Sequence, residues 1–154
     1  MDDKAQDNAE AARAQARRDR LRVLMDRLEV ALPEPTRRDP DRWRDQVLVV
    51  AADLEAGLID HVAETEARGG LFDDVTRHAP RLTNRIGELR NDHPALLDVL
   101  GELRAMLDQS VQSDETVAAA RRQGLTVLGQ LVQHRQLGAD LLYEAYWVDV
   151  PSGN

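Results

Sequence analysis

The chain has 154 residues, 28 acidic and 20 basic side chains, a formal net charge of −8 and no cysteine. Its length predicts one domain, residues 1–154, that can bury a core without disulfides, and its charge argues against nucleic acid as a partner, because a phosphate-binding protein needs a basic face. The lack of cysteine excludes thiol catalysis and thiolate metal sites and fits a cytoplasmic protein, and the longest apolar run, six residues at 47–52, is far too short to cross a membrane.

The first predicted helix covers residues 1–32 and is rich in alanine in its first half. Its apolar stripe begins with four small residues: Ala5, Ala9, Ala12 and Ala16. Because alanine buries little area, the start of this helix is predicted to fray. Pro33 and Pro35 end the helix, since proline disfavours helical backbone in the residue before it.

Residues 40–150 are predicted to form the remaining three helices of the same domain. In the second helix, Asp39 is a suitable N-cap and Pro40 suits the first helical position. Gly69 and Gly70 end or bend this helix, and residues 71–78 add about two further turns.

The third helix has the most regular apolar repeat, which steps by four and three residues from Leu82 to Leu107 and contains Pro94. Ser113 is a suitable N-cap for the fourth helix. Four amphipathic segments joined by short connections predict an all-α protein that folds as an up-down-up-down four-helix bundle.

Three of the four histidines, His61, His93 and His134, occupy core-facing positions, one on each of the last three helices. In an antiparallel helix pair, residues equally far from the connecting turn lie at the same height. The midpoint of His93 and His134 falls inside the last loop. The midpoint of His61 and His93 is Arg77, next to Pro80, which agrees with a shared height if residues 71–78 extend the second helix past its glycines. We therefore expect three imidazoles at one level, a pattern typical of a metal site. The alternative is that each is an ordinary core histidine, hydrogen-bonded to a carbonyl or a carboxylate.

Several short sequence motifs accompany these histidines: HVAETE and GGLF in residues 61–72, APRL and LRNDH in residues 79–93, and LVQHR and LLYEAY in residues 131–146. Together they resemble the hemerythrin-like family, also called HHE cation-binding domains, over residues 43–149. The resemblance implies a four-helix bundle that holds two non-heme irons through histidines and bridging carboxylates. Members of this family bind oxygen, sense oxygen or redox state, or store iron. By position, His61, His93 and His134 match the family's histidines on the second, third and fourth helices.

The carboxylates of the family pattern are displaced in this chain. Four residues after His61, where the family has a carboxylate, stands Thr65, with Glu64 and Glu66 on either side. Glu64 lies roughly 60° around the helix from His61 and Glu66 roughly 140°. The matching position on the fourth helix is Gly138, which has no ligand atom. We expect a reduced site of three histidines, with Glu64 and Glu66 as the candidate carboxylate ligands.

The first helix also lacks the histidine that the resemblance implies, and reflection through the first linker places Ala12 at the height of His61. The cofactor expected from this set is non-heme iron, held as one ion or as a degenerate two-iron centre. The expected function is oxygen or redox binding or sensing rather than catalysis, with dioxygen as a partner and no nucleic acid or membrane.

Two other functions stay open at the level of the sequence. One is a metal-free helical scaffold or protein-interaction module descended from the same family. The other, a weaker alternative, is an enzyme that uses the open coordination positions of a metal bound by three histidines. Neither the oligomeric state nor the identity of the metal can be read from the sequence.

Overall fold

The computed structural model describes residues 2–109 and 113–148, and the predicted domain boundary at residue 150 lies outside them. The α-helices of the described residues are, in chain order, α1 (Asp2–Ala31), α2 (Pro40–Glu66), α3 (Leu71–His78), α4 (Thr83–Asp108) and α5 (Asp114–Tyr143). A 3-10 turn, Pro80–Leu82, precedes α4, and a π-helical turn, Glu144–Val148, follows α5. The prediction of an all-α protein is confirmed.

The two ends of α2 follow from local sequence. An oxygen of the Asp39 side chain accepts a hydrogen bond of 3.0 Å from the backbone N–H of Arg42, and Pro40 is in the first turn. Such an N-cap typically contributes about 1 kcal/mol. After α2 the backbone of Gly69 has a φ of 74°, a left-handed conformation that glycine adopts readily. The chain then begins α3 as a separate helix instead of adding turns to α2.

The long helices α4 and α5 also match their predicted signals. The helix α4 continues through Pro94, although proline has no N–H to donate to the carbonyl of Arg90. The helix α5 begins with a capping box, in which the side chains of Ser113 and Thr116 each bond the backbone N–H of the other residue. This reciprocal pair satisfies two N–H groups that the first turn would otherwise leave without partners.

The core consists of two apolar clusters. The larger lies among α1, α2, α4 and α5 and is built mostly of leucines, such as Leu54, Leu100 and Leu131. The smaller lies beneath α3 and includes Phe72 and Leu141. Because this burial uses the apolar faces of the helices, polar faces remain outside. Within the described residues, no helix has an apolar stretch long enough to cross a membrane.

Ion pairs fix the height of α1 against α2. Arg17 contacts Glu64 at 3.1 Å and Arg27 contacts Asp53 at 3.0 Å, so the two helices run in opposite directions. In this register, residues 17–20 of α1 lie opposite His61. The expectation that Ala12 faces His61 is therefore wrong. Along the helix axis the start of α2 projects roughly two turns past the end of α1, so residues equally far from the middle of the linker do not lie at the same height. The alanines expected to face the site are all exposed: Ala9, Ala12 and Ala16.

The packing of α5 against α1 yields a stability prediction. A Cβ atom at Gly124 would lie 2.5 Å from Cδ1 and 3.1 Å from Cγ of the buried Leu32. Gly124→Ala is expected to lower the free energy of unfolding, because overpacking costs about 1–3 kcal/mol and exceeds the gain in helix propensity of up to about 1 kcal/mol.

Gly129, on the same helix, provides the matched control, because it is exposed and no described atom would lie within 4 Å of its added Cβ. Gly129→Ala is expected to raise the free energy of unfolding by about 0.5–1 kcal/mol. Both changes are measured by denaturant unfolding monitored by circular dichroism. Equal effects at the two positions would contradict the close packing of Gly124 against Leu32.

Candidate metal centre

Three histidines from three helices meet inside the protein. His61 on α2, His93 on α4 and His134 on α5 each offer a ring nitrogen, and these nitrogens all lie within 4.8 Å of one another. The ring centroids are 5.0 to 5.5 Å apart. His93 and His134 are buried, and His61 is partly exposed. The structure thus brings together the three histidines that the sequence analysis placed at one level.

The histidines occupy the gap between the two apolar clusters. On α4, His93 lies between Leu89 of the smaller cluster and Leu96 of the larger one, and on α5, His134 lies between Leu131 and Leu141. The helices therefore place a polar layer between two apolar layers. A buried layer of this kind needs partners for its nitrogen atoms, because an unpaired buried polar group costs free energy.

The nitrogen spacing suits a metal ion. A metal with tetrahedral coordination holds imidazole nitrogens at about 2.0–2.1 Å, which places two such nitrogens about 3.3–3.4 Å apart. The Nε2 atoms of His61 and His134 are 3.4 Å apart. Two of the three ligands therefore already have the separation that a common metal ion requires, and a nitrogen of His93 lies within 4.8 Å of both.

His93 is the histidine whose ring nitrogens lack hydrogen-bond partners. Its side chain is only 1% exposed, and neither ring nitrogen has a hydrogen-bond partner among the described residues. An oxygen of Glu66 lies 3.4 Å from Nδ1 but outside hydrogen-bonding geometry. Leaving a buried polar atom unpaired costs about 1–3 kcal/mol. His93 therefore lacks the carbonyl or carboxylate hydrogen bond of an ordinary core histidine, although the Glu66 carboxylate lies next to its Nδ1.

His134 differs, because its Nδ1 lies 3.0 Å from an oxygen of Asp92. A carboxylate oxygen accepts, so Nδ1–H is the donor and Nε2 of the neutral ring carries the lone pair. The sequence analysis missed Asp92. Asp92 precedes His93 on α4, and in an antiparallel helix pair this position lies at the height of His134. That relation could have identified Asp92 from the sequence.

The aromatic ring of Phe72 covers one side of the cluster. It stacks on the ring of His93 with the centroids 5.8 Å apart and the planes 12° apart. The guanidinium of Arg90 lies 5.6 Å from the centre of the Phe72 ring, within the range of a cation–π contact. The separate helix α3 thus serves to hold an apolar ring against the buried imidazole.

The two glutamates expected as ligands lie near the histidines but pair with arginines. Glu64 pairs with Arg17 at 3.1 Å and its side chain is 38% exposed. Glu66 contacts His93 as described and lies 3.6 Å from Arg90. Neither carboxylate belongs to the group of mutually close ligand atoms found among the described residues.

The remaining family positions offer no ligand. The hydroxyl of Thr65 donates to the carbonyl oxygen of His61 at 2.9 Å. No described atom would lie within 4 Å of a Cβ added at Gly138. A small cavity of about 20 Å³ lies between α1 and α2 beside His61 and is lined also by Leu21 and Gly57. The space can hold about one water molecule.

Burial keeps the imidazoles of His61 and His93 uncharged at neutral pH. Burial first, and then the neighbouring rings of His134 and His93, lower the pKa of His61 to about 3 from an ordinary value near 6.5. Burial and the nearby His134 also lower the pKa of His93. Neutral imidazole is the form that binds metals, so at neutral pH these two rings need no deprotonation before an ion binds.

These pKa shifts predict that acid destabilises the metal-free protein. Between pH 6.5 and about 3 the unfolded chain binds protons that folded His61 does not, so the free energy of unfolding falls as pH falls. The slope is about 1.4 kcal/mol per pH unit for each such proton. Denaturant unfolding between pH 7 and 5 measures it, and His61→Gln is expected to flatten it. His78→Gln, which removes an exposed histidine, is the control, and an equal slope in the His61 variant would contradict the prediction.

Comparisons with known proteins add no relative to this geometry: no family model, no curated protein and no solved structure matches the chain. The hemerythrin-like resemblance therefore stays a prediction made from the residues themselves. What the structure provides without it is a group of three imidazoles, His61, His93 and His134, in an arrangement that can hold a metal ion.

Proposed function

We propose that this chain is a hemerythrin-like protein that binds one non-heme iron ion through His61, His93 and His134 and serves to bind or sense dioxygen or redox state in the cytoplasm. The observation that carries the proposal is the convergence of three imidazole nitrogens within 4.8 Å. The two unpaired nitrogens of buried His93 support the proposal further, because a cation at the shared centre would give one of them a partner.

We further propose that α1, α2, α4 and α5 form an up-down-up-down four-helix bundle. Contacts join α1 to α2, α2 to α4, α4 to α5, and α5 back to α1. The pair Glu55 and Arg104, at 2.9 Å, and the pair Glu66 and His93, at 3.4 Å, support opposite directions for α2 and α4. The bond between Asp92 and His134 supports the same for α4 and α5. A bundle of this kind commonly carries metal ligands on facing helices.

The donor set fits one ion better than two. A pair of ions a few ångströms apart needs bridging carboxylates to offset the charge. The positions from which the family would supply them hold Thr65 and Gly138, while Glu64 is engaged by Arg17. Three neutral imidazoles are sufficient protein ligands for a single ion that keeps further positions open.

A bound iron with open positions would supply reversible binding of a small ligand or exchange of one electron. The chain's own residues restrict what reaches it. The cavity beside His61 measures about 20 Å³, and the ion pairs Arg17–Glu64 and Arg20–Asp60 are neighbours of that cavity. A space of this size holds about one water molecule, so this cavity has no room for an organic substrate.

Iron binding is the direct test. Anaerobic titration of the chain with Fe²⁺, followed by metal analysis, is expected to give one ion per chain. His93→Ala is expected to abolish binding, because it removes a fully buried ligand. His78→Ala is the matched control, since it removes an exposed histidine outside the cluster, and it is expected to bind like the unmodified chain.

The other outcomes of this titration separate the alternatives. Absence of binding, with the fold intact by circular dichroism, would overturn the proposal and favour a metal-free scaffold that acts through protein contacts. Two ions per chain, with the absorption band of an oxo-bridged pair, would overturn the single-ion site. Binding that survives His93→Ala would place the ion elsewhere.

Adding a carboxylate at position 138 tests whether the site descends from a two-iron centre. Gly138 follows His134 by about one helical turn, and space is open around it. Gly138→Glu is therefore expected to raise the iron content per chain above that of the unmodified protein. Gly129→Glu adds the same side chain at an exposed position of α5 and is the control. Equal iron content in both variants would contradict the prediction.

A further inference from the structure

Two of the three candidate ligands contact a carboxylate on the side away from the shared centre. Nδ1 of His134 donates to Asp92 at 3.0 Å, and the His134 side chain is 6% exposed while that of Asp92 is 41% exposed. The carboxylate thus reaches the ring from the rim of the protein. Donation from Nδ1 fixes both the ring orientation and the tautomer, because Nε2 is then left with its lone pair.

His93 has a related but weaker arrangement. Glu66 approaches its Nδ1 to 3.4 Å and is itself held by Arg90 at 3.6 Å. Phe72 stacks on the ring and limits its rotation. Because the distance is already within hydrogen-bonding range, a change in the orientation of the ring or of the carboxylate is what this hydrogen bond requires.

His61 lacks this support. Its ring contacts those of His93 and His134, and among the described residues no carboxylate lies within hydrogen-bonding or ion-pair distance of it. It is also the partly exposed member of the three, next to the small cavity. The cluster is therefore asymmetric: a carboxylate lies next to Nδ1 of His134 and of His93, whereas His61 is held through the 3.4 Å contact of its Nε2 with Nε2 of His134.

We infer that Asp92 and Glu66 are positioning residues of the metal centre: each holds one imidazole, His134 and His93 respectively, with its Nε2 atom aimed at the site. This inference rests on the proposed function, since it concerns affinity for the ion. A carboxylate behind a ligating histidine fixes the ring and raises its basicity, and its loss commonly costs 10- to 100-fold in metal affinity. Asp92 has the larger effect because its hydrogen bond is already formed.

The test compares Fe²⁺ affinity in a set of single variants of the full chain. Asp92→Ala is expected to weaken binding about 10- to 100-fold and Glu66→Gln by less. Asp92→Asn is expected to fall between Asp92→Ala and the unmodified chain, because an amide oxygen still accepts from Nδ1–H but brings no charge. Asp98→Ala is the control: this exposed acid lies on the same helix, and its loss is expected to leave affinity unchanged.

A second readout separates positioning from a merely structural role. The ¹⁵N chemical shifts of the His134 ring in the metal-free protein report which nitrogen carries the proton. We expect Nδ1 to be protonated in the unmodified chain and in Asp98→Ala, and the proton to move in part to Nε2 in Asp92→Ala. Loss of stability alone does not change the tautomer of a folded protein.

The outcomes distinguish this inference from the proposed function. If the unmodified chain binds no iron, the proposed function falls and this inference falls with it. If the chain binds iron and Asp92→Ala binds it equally well, only the positioning role is overturned. Protonation of His134 at Nε2 in the unmodified chain would overturn that role by itself, whatever the affinities.

Discussion

The structure depends on burying three imidazole rings at one level of an otherwise apolar core. Each ring has two nitrogen atoms that must find partners away from water. His61 and His134 share a contact at 3.4 Å, and Asp92 satisfies the other nitrogen of His134, but both nitrogens of His93 are left over. A cation at the shared centre would give one of these two nitrogens a partner and would also engage one nitrogen each of His61 and His134.

The two apolar clusters make this layer possible. The larger cluster ends at Leu96 on α4, and the smaller begins at Leu89, so His93 is held between two packed layers. The smaller cluster exists because Gly69 allows the chain to leave α2 and return as α3, which carries Phe72 onto the histidine ring. The short helix α3 therefore encloses the site on this side.

Sequence reasoning reached much of this through periodicity. The helical spacing, the caps at Asp39 and Ser113 and the shared height of His93 and His134 follow from rules that act within a helix or across a symmetric turn. The height of His61 does not follow in this way, because the separate helix α3 lies between α2 and α4 and the expected extension of α2 through residues 71–78 is wrong. The height of Ala12 could not be obtained in this way, since the first linker is asymmetric and only the ion pairs reveal its offset. Asp92 was missed because its role depends on a side chain that crosses from one helix to the next.

Charge balance gives the last constraint on what the centre can hold. Three neutral imidazoles bring no negative charge, so the charge of an ion is offset only by the carboxylates behind them. Asp92 stands next to His134, and Glu66 stands next to His93 but shares its charge with Arg90, while Glu64 is paired with Arg17. The charge of Asp92 and part of the charge of Glu66 are thus available to offset the charge of the cation. Because a buried charge needs compensation close by, this balance favours one divalent ion over a pair, and it favours the ferrous state of iron over the ferric.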